Sequence, residues 1–337
     1  MIIKHSCPTI EADDIKAVRR TLASKQIASG RMSFLFSEKL KNFFQAKKVF
    51  LTPSGKEAIR LALGALKIGK NDEVIIPAYV CESVVWAVKA AGAKLVAADI
   101  NLDDYNINYE DAVKKISART KAIIAPHLFG NPVKDIGRFL KLKVPVIEDA
   151  AQAIGGVYLG RKLGKFADIT VCSFYATKVI TTGDGGALIF NANGHDNTAG
   201  SGNYFYQMPD LQAALGLSQL QKINKFIKRR ADIFNLYRRE LKKISGVRLA
   251  DPAASIHYRC LIETENQAAT VVKKLNVYGI KAERYTDVAF NCLRLNSRDY
   301  PNTRHAIDKV VSLPIYPSLQ IKEIKYILAR LRKAMLI

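Results

Sequence analysis

Between residues 50 and 190, short apolar runs rich in β-branched residues alternate with segments of helical periodicity. The apolar runs predict strands at 74–76, 95–97, 122–125, 144–147, 169–172 and 187–190. The helical segments lie at 57–67, 79–91 and 109–116. Strands that alternate with helices form a mostly parallel central sheet sandwiched by helices, so we expect an α/β fold. Ligands of such sheets bind at the carboxyl ends of the strands.

The remainder of the chain predicts a second, smaller domain. A helical pattern runs from Pro209, a favourable first-turn residue, to about residue 244. Strand-like and helical segments then follow one another to residue 337. We expect a large domain at 1–221 and a small C-terminal α+β domain at 222–337, linked by a long helix that starts near residue 209. Its basic stretch at 222–243, which includes Arg230, we interpret as an amphipathic helix with a solvated basic face.

Composition narrows the class of ligand. The 52 Lys and Arg residues exceed the 30 Asp and Glu residues, and the net charge of +22 favours anionic ligands. The five cysteines and five histidines are widely scattered, which argues against a disulfide framework and a metal site. No nucleic-acid-binding motif occurs, and we expect no nucleic-acid partner. No apolar run is long enough to span a membrane and no signal peptide is evident, so we expect a cytoplasmic protein without membrane insertion.

Two motifs follow predicted strands with features of ligand-binding sites. Ser54-Gly55-Lys56 precedes a helix, so its backbone N–H groups could bind a phosphate, although Ser-Gly is also an ordinary helix cap. Glu148-Asp149 ends an apolar run, and an acidic pair there could serve a metal, a ribose hydroxyl or a protonated ring nitrogen.

A third motif supplies a hydroxyl group and a lysine. Ser173 ends a predicted strand, and Lys178 follows five residues later, before a Gly-rich turn. A lysine held in this way suits Schiff-base chemistry, because it can lose its proton when desolvated. Phosphate donors, a carboxylate for a pyridinium nitrogen and a lysine for an aldehyde are together what a pyridoxal 5'-phosphate (PLP) site requires.

With these residues in view, the chain resembles the DegT/StrS-type sugar-nucleotide aminotransferases, a branch of the fold-type I PLP enzymes. The resemblance covers nearly the whole sequence. The matching motifs are SG at 54–55, DEVIIP at 72–77, TKAII at 120–124, HLFG at 127–130, EDAAQ at 148–152, SFYATK at 173–178, DLQAALG at 210–216 and LPIYP at 313–317.

The resemblance implies roles for individual residues. Lys178 would form the Schiff base with PLP and act in proton transfer, and Asp149 would pair with the pyridinium nitrogen. Gln152 would lie against the cofactor ring. The phosphate would be held by Ser54, Gly55, Lys56 and Ser173.

Two further positions depart from the pattern of the family. Cys81 stands where an aromatic residue commonly covers the ring, with Tyr79 and Trp86 as nearby alternatives. Phe205 stands where an asparagine of the partner subunit reaches the phosphate, so Asn203 is the candidate donor. The resemblance thus implies a homodimer with shared active sites.

The function implied is transfer of an amino group, with glutamate as the expected donor, to a keto-sugar carried on a nucleotide. Family members with histidine at the position of Lys178 resemble dehydratases, so the lysine favours aminotransfer. The alternatives are a PLP-dependent sugar dehydratase, an aminotransferase with a non-sugar acceptor and a non-enzymatic regulator that retains the fold.

Overall fold

The computed structural model describes residues 2–193 and 208–336. Its α-helices are α1 (Ala12–Ala23), α2 (Arg31–Phe44), α3 (Gly55–Ala65), α4 (Glu82–Ala90), α5 (Tyr109–Lys114), α6 (Ile136–Phe139), α7 (Asp210–Gln221), α8 (Ile223–Leu241), α9 (Ala268–Val277), α10 (Ala289–Cys292), α11 (Pro301–Lys309) and α12 (Ile321–Met335). Its strands are β1 (Lys48–Thr52), β2 (Glu73–Pro77), β3 (Lys94–Ala98), β4 (Thr120–Pro126), β5 (Val146–Asp149), β6 (Val157–Tyr158), β7 (Arg161–Lys162), β8 (Ile169–Ser173), β9 (Gly186–Phe190), β10 (Val247–Leu249), β11 (Cys260–Thr264) and β12 (Val310–Leu313).

The central sheet has seven strands in the order β1-β9-β8-β5-β4-β2-β3. Neighbouring strands from β8 to β3 are parallel, whereas β9 runs antiparallel to both β1 and β8. Every residue of β2, β5, β8 and β9 is buried, which explains why these strands read as continuous apolar runs. The predicted α/β fold with a mostly parallel sheet is therefore confirmed. Strand β1, which is only partly buried, was not predicted from the sequence.

The helical pattern predicted as continuous from 209 to 244 is two helices, and the single long helix is wrong. Helix α7 ends at Gln221, and Lys222 adopts φ −101° and ψ 1° before α8 begins. The break lies beside the buried carboxylate of Asp14, which pairs with the Lys222 ammonium at 2.6 Å. Side chains of the last turn of α7, Ser218 and Gln219, donate hydrogen bonds to the same carboxylate. The side chains around the break are thus joined to α1.

The amphipathic interpretation of the basic stretch holds for α8, with one correction. Phe226, Phe234 and Tyr237 form its buried face. Arg230, expected on the solvated face, is instead 2% exposed. It lies four residues from both Phe226 and Phe234, and side chains at that spacing share one face of a helix.

The C-terminal region contains a three-stranded antiparallel sheet, β10-β11-β12, packed against helices. Its core also includes Ile3, which pairs with Ile280. The first residues of the chain therefore lie against the C-terminal region, while the domain boundary between 221 and 222 stays a prediction. Within residues 2–193 and 208–336, every helix is too short or too polar to cross a membrane.

Candidate active site

Two of the predicted site residues lie at one edge of the central sheet. Asp149 is the last residue of β5 and Ser173 the last of its parallel neighbour β8, and each is 7% exposed. Gly186, the first residue of antiparallel β9, pairs with Ser173 on one side and with Thr52 on the other. The carboxyl ends of β1, β5 and β8 therefore meet, as the expected site geometry requires.

The acidic pair at the end of β5 does not act as one site. Successive side chains of a strand point to opposite faces, so Glu148 and Asp149 face different surroundings. Glu148 is fully buried and accepts hydrogen bonds from the His127 ring at 2.8 Å and from the backbone N–H groups of Gly164 at 2.6 Å, Phe166 at 2.8 Å and Ala167 at 3.1 Å. This full set of donors gives Glu148 a structural role.

The tautomer of His127 follows from the same network. The Val133 N–H donates to His127 Nδ1 at 2.9 Å, so Nε2 carries the proton that it donates to Glu148. Burial alone would raise the pKa of Glu148, but the bond from His127 and the backbone donors lower it overall. Among the described residues, no cluster of three or more His, Cys, Asp or Glu side chains could hold a metal ion.

The carboxylate of Asp149 has fewer hydrogen-bond donors than that of Glu148. Its Oδ1 accepts a hydrogen bond from the Ala151 N–H at 2.9 Å, and its main-chain oxygen accepts one from the His127 N–H at 3.0 Å. Burial raises the pKa of Asp149, although the Ala151 N–H and the charge of Lys178 act against the rise. A buried carboxylate with one hydrogen-bond donor and a nearby lysine fits a cationic ring nitrogen.

Lys178 lies in a compact loop after β8. The Lys178 N–H donates to Tyr175 O, and the Thr182 N–H donates to Phe174 O, each at 2.9 Å, which folds the loop back onto the end of the strand. Gly185 closes the loop at φ +150°, where a Cβ atom would lie 2.5 Å from Thr182 Oγ1. Lys178 is half-buried, and its Nζ lies 5.6 Å from the centre of the Tyr258 ring.

The start of α3 forms a cradle against β8 and β9. Ser54 caps the helix, and its Oγ accepts a hydrogen bond from the Glu57 N–H at 3.2 Å. A Cβ atom at Gly55 would lie 2.7 Å from Ser173 Cβ, and one at Gly186 would lie 2.6 Å from Ser54 O. Glycine at these positions lets the start of α3 pack closely against β8 and β9, and the positive end of the helix suits a phosphate group. Lys56 extends an exposed side chain, so its backbone N–H is the group suited to the cradle.

The residues expected around the cofactor ring differ in their burial and in their hydrogen bonds. Gln152 Oε1 accepts a hydrogen bond from the Phe129 N–H at 2.7 Å. Cys81 stands directly before α4 and is half-buried. Of the two aromatic alternatives, Tyr79 is fully buried in an aromatic cluster and Trp86 is 50% exposed. Asn203, the candidate phosphate donor, lies outside the described residues.

Two aromatic residues at the site were not predicted from the sequence. Tyr285 hydrogen-bonds to the Gln152 side chain and lies beside Cys81, and its burial raises its pKa. Tyr258 faces Lys178. Both residues come from the C-terminal region, outside any motif, and a single sequence gives no signal that brings them to this edge. The burial of Arg230, which contacts Tyr258, could have been predicted from its helical spacing.

A lysine, a buried carboxylate and a helix N-terminus at the carboxyl edge of a mostly parallel sheet are the features of a PLP-dependent enzyme. A profile of the DegT/DnrJ/EryC1/StrS aminotransferase family matches residues 8–332. The chain belongs to this family and is a PLP-dependent aminotransferase.

Individual relatives support this assignment. GDP-perosamine synthase of Vibrio cholerae is 31% identical over 69% of each chain. The dTDP-4-dehydro-2,3,6-trideoxy-D-glucose 4-aminotransferase of Saccharopolyspora spinosa is 27% identical over 99% of this chain and 97% of its own. Among solved structures, the PLP form of a Streptococcus pneumoniae protein assigned as a sugar aminotransferase is 25% identical, with a TM-score of 0.90, and covers 100% of this chain and 99% of its own. The chain is thus similar throughout its length to sugar aminotransferases.

Proposed function

We propose that the enzyme transfers an amino group from glutamate to the keto carbon of a sugar carried on a nucleoside diphosphate. The observation that carries the proposal is that the charge of Lys178 acts on the buried carboxylate of Asp149, in a chain of an aminotransferase family with relatives named for sugars. Two of the relatives are named for GDP- and dTDP-linked sugars, which supports a nucleotide-linked acceptor. The net charge of +22 is in keeping with such an anionic substrate.

The residues at the sheet edge divide the work of binding and proton transfer. When bound, PLP supplies an aldehyde and a cationic ring that takes up electrons. Asp149 would hold a proton on the ring nitrogen, and Lys178 would bond the aldehyde when no substrate is present. The freed Lys178 Nζ would then carry a proton to and from the substrate carbon as base and acid.

The other site residues would bind and orient the cofactor. Backbone N–H groups at Gly55 and Lys56, with the hydroxyl groups of Ser54 and Ser173, would hold the phosphate. Gln152 would lie beside the ring, where its oxygen already has the Phe129 N–H as a donor. Cys81 is too small to cover a ring alone, and we propose that the neighbouring Tyr285 contributes to that face.

The functional unit that we propose is a cytoplasmic homodimer with shared active sites. Helices α1 and α2 expose large apolar side chains that suit an interface, with Ile15 62% and Phe34 64% exposed. Asn203 of each subunit would reach the phosphate held by the other. Mixing inactive Lys178→Ala and Asn203→Asp variants should restore activity, because one site of each hybrid carries neither change. A monomer by sedimentation would refute the shared site.

The absorption spectrum of the purified protein tests the central proposal. The PLP-loaded enzyme should absorb visible light, and glutamate should bleach that band as the cofactor takes up the amino group. Borohydride before glutamate should fix the cofactor on the peptide that contains Lys178, and Lys178→Ala should lose the label while exposed Lys162→Ala keeps it. Product mass should then show an amino-sugar nucleotide. Labelling of another lysine, or a dehydrated product without nitrogen, would contradict the proposal.

A further inference from the structure

Tyr258 connects the C-terminal region to the lysine loop. It is 2% exposed and lies two residues before β11. The Lys178 ammonium lies 5.6 Å from the centre of its ring, within the range of a cation–π contact, and the neighbouring Thr177 hydrogen-bonds to its side chain. The phenol therefore contacts the segment that carries the proposed Schiff-base lysine.

Two arginines add positive charge to the same ring. The Arg259 guanidinium lies 4.7 Å and that of Arg230 5.6 Å from the ring centre. Arg230 is itself buried and donates to the main-chain oxygens of Tyr258 at 3.1 Å and Ile315 at 3.0 Å. Among the residues that the structure describes, Arg230 and Lys178 form no ion pair with a carboxylate. The phenol of Tyr258 is thus the ionisable acid that faces three cations.

This surrounding changes the acidity of Tyr258. Burial would raise its pKa, but the charges of Arg259 and Lys178, the hydrogen bond of Thr177 and the charge of Arg230 outweigh burial and lower the pKa to about 8. Tyr285, an ionisable group that also lies near this phenol, is neutral near neutral pH because burial raises its own pKa. A fraction of Tyr258 is therefore ionised to the phenolate slightly above neutral pH.

We propose that Tyr258 positions the Lys178 amine and exchanges a proton with it, a role that rests on the proposed function of Lys178. The ring face holds the ammonium group of the lysine. In the exchange, the flexible Lys178 side chain turns from the ring face toward the phenolate oxygen of Tyr258, which takes a proton from the ammonium nitrogen, so that an O–H bond forms as an N–H bond breaks. The product is a neutral phenol beside a neutral amine, the form of lysine that acts as base and nucleophile. The reverse transfer restores both charges.

Titration of the cofactor-free protein tests the electrostatic part of the proposal. The ultraviolet absorbance of the wild type should show a phenolate step with a midpoint at about 8, and Tyr258→Phe should lack it. Lys178→Ala should move the step to higher pH, because it removes a cation beside the phenol. Tyr278→Phe is the matched control, since Tyr278 also lies beneath an arginine, Arg330, and its loss should leave the step unchanged. A step that survives in Tyr258→Phe, or that ignores Lys178→Ala, overturns the proposal.

Kinetics of the PLP-loaded enzyme test the positioning role. Tyr258→Phe keeps the ring but loses the ionisable hydroxyl, so kcat should fall about tenfold and lose its dependence on pH near 8, while KM changes less than about twofold. Tyr258→Leu, which also removes the ring, should lower kcat further. Unchanged kcat and pH profile in Tyr258→Phe would refute the inference while leaving the proposed function intact. Turnover by Lys178→Ala would instead refute the proposed function.

Discussion

The two sides of the site differ in how their buried charges are satisfied. On the strand side, the carboxylate of Glu148 accepts four hydrogen bonds, from His127 and three backbone N–H groups. On the C-terminal side, Arg230 is as deeply buried, but two main-chain oxygens and an ionisable phenol take the place of a carboxylate. The strand side is therefore held by saturated hydrogen bonds, whereas the C-terminal side retains unneutralised positive charge.

This difference indicates a division of labour. A saturated network fixes geometry, and its loss should cost stability, because buried donors would be left unpaired. A surplus of buried charge acts at a distance on nearby ionisable groups, and its alteration should change the response of the site to pH. Lys178 lies between the two sides, so each of them bears on its reactivity.

The largest expected effect is that of Lys178→Ala, which removes the group that both sides surround. Turnover should fall by at least about 10³-fold, because nucleophile and proton carrier are lost together. Initial rates with glutamate and the keto-sugar nucleotide measure the loss, with exposed Lys162→Ala as the control. Residual turnover within about tenfold of the wild type would place the chemistry on another residue.

Asp149→Asn should lower kcat by about 10²-fold with little change in the free energy of unfolding. The amide cannot keep a proton on the ring nitrogen by charge, and burial already disfavours the ionised carboxylate, as its raised pKa indicates. Single-turnover rates and urea denaturation separate the two effects. A large loss of stability with normal kcat would reverse the roles assigned to Asp149 and Glu148.

Glu148→Gln should show the converse pattern. The free energy of unfolding should fall by about 3 kcal/mol. The NH2 group of glutamine would replace one acceptor oxygen, and the N–H groups that now donate to that oxygen would lose their acceptor. Chemical denaturation of the cofactor-free protein at neutral pH measures this loss. At a temperature where the variant is folded, kcat should stay within about threefold of the wild type, and a larger fall would show that Glu148 takes part in the chemistry.

The smallest effect concerns acid sensitivity on the C-terminal side. His257 stacks on Phe234 with 3.8 Å between ring centres, and burial, opposed by Asp251 and assisted by Arg238, lowers its pKa to about 4. The unfolded chain takes up this proton near pH 6.5 and the folded chain only near 4, so stability should fall as pH drops through that window. The expected loss is about 2 kcal/mol, reduced for partial exposure. In urea titrations, His257→Asn should weaken the dependence of the free energy of unfolding on pH. An unchanged dependence would show that this histidine is not its source.

The strand side was predictable because its residues come in short motifs. The strand pattern placed Asp149 and Ser173 at one edge of a parallel sheet, and the Gly-rich turn after Lys178 indicated a held lysine. The opposite directions of Glu148 and Asp149 could have been foreseen from strand alternation. The C-terminal contributions could not, because Tyr258 and Tyr285 reach the site only through tertiary packing. Similarly, nothing local indicated that Lys222 interrupts a helix, since its partner is the distant Asp14.

Strand β1 has a consequence for how the chain folds during synthesis. In the described sheet it is an edge strand whose sole neighbour is β9, and Lys48 pairs with Phe190. A ribosome must therefore release the whole intervening chain before β1 can join the sheet. The cradle at Ser54 and Gly55 needs Gly186 and Ser173 to take shape, so it is among the last features of this sheet to form. A nascent chain arrested before β9 would contain Lys178 and Asp149 but would lack the complete cradle that binds a phosphate.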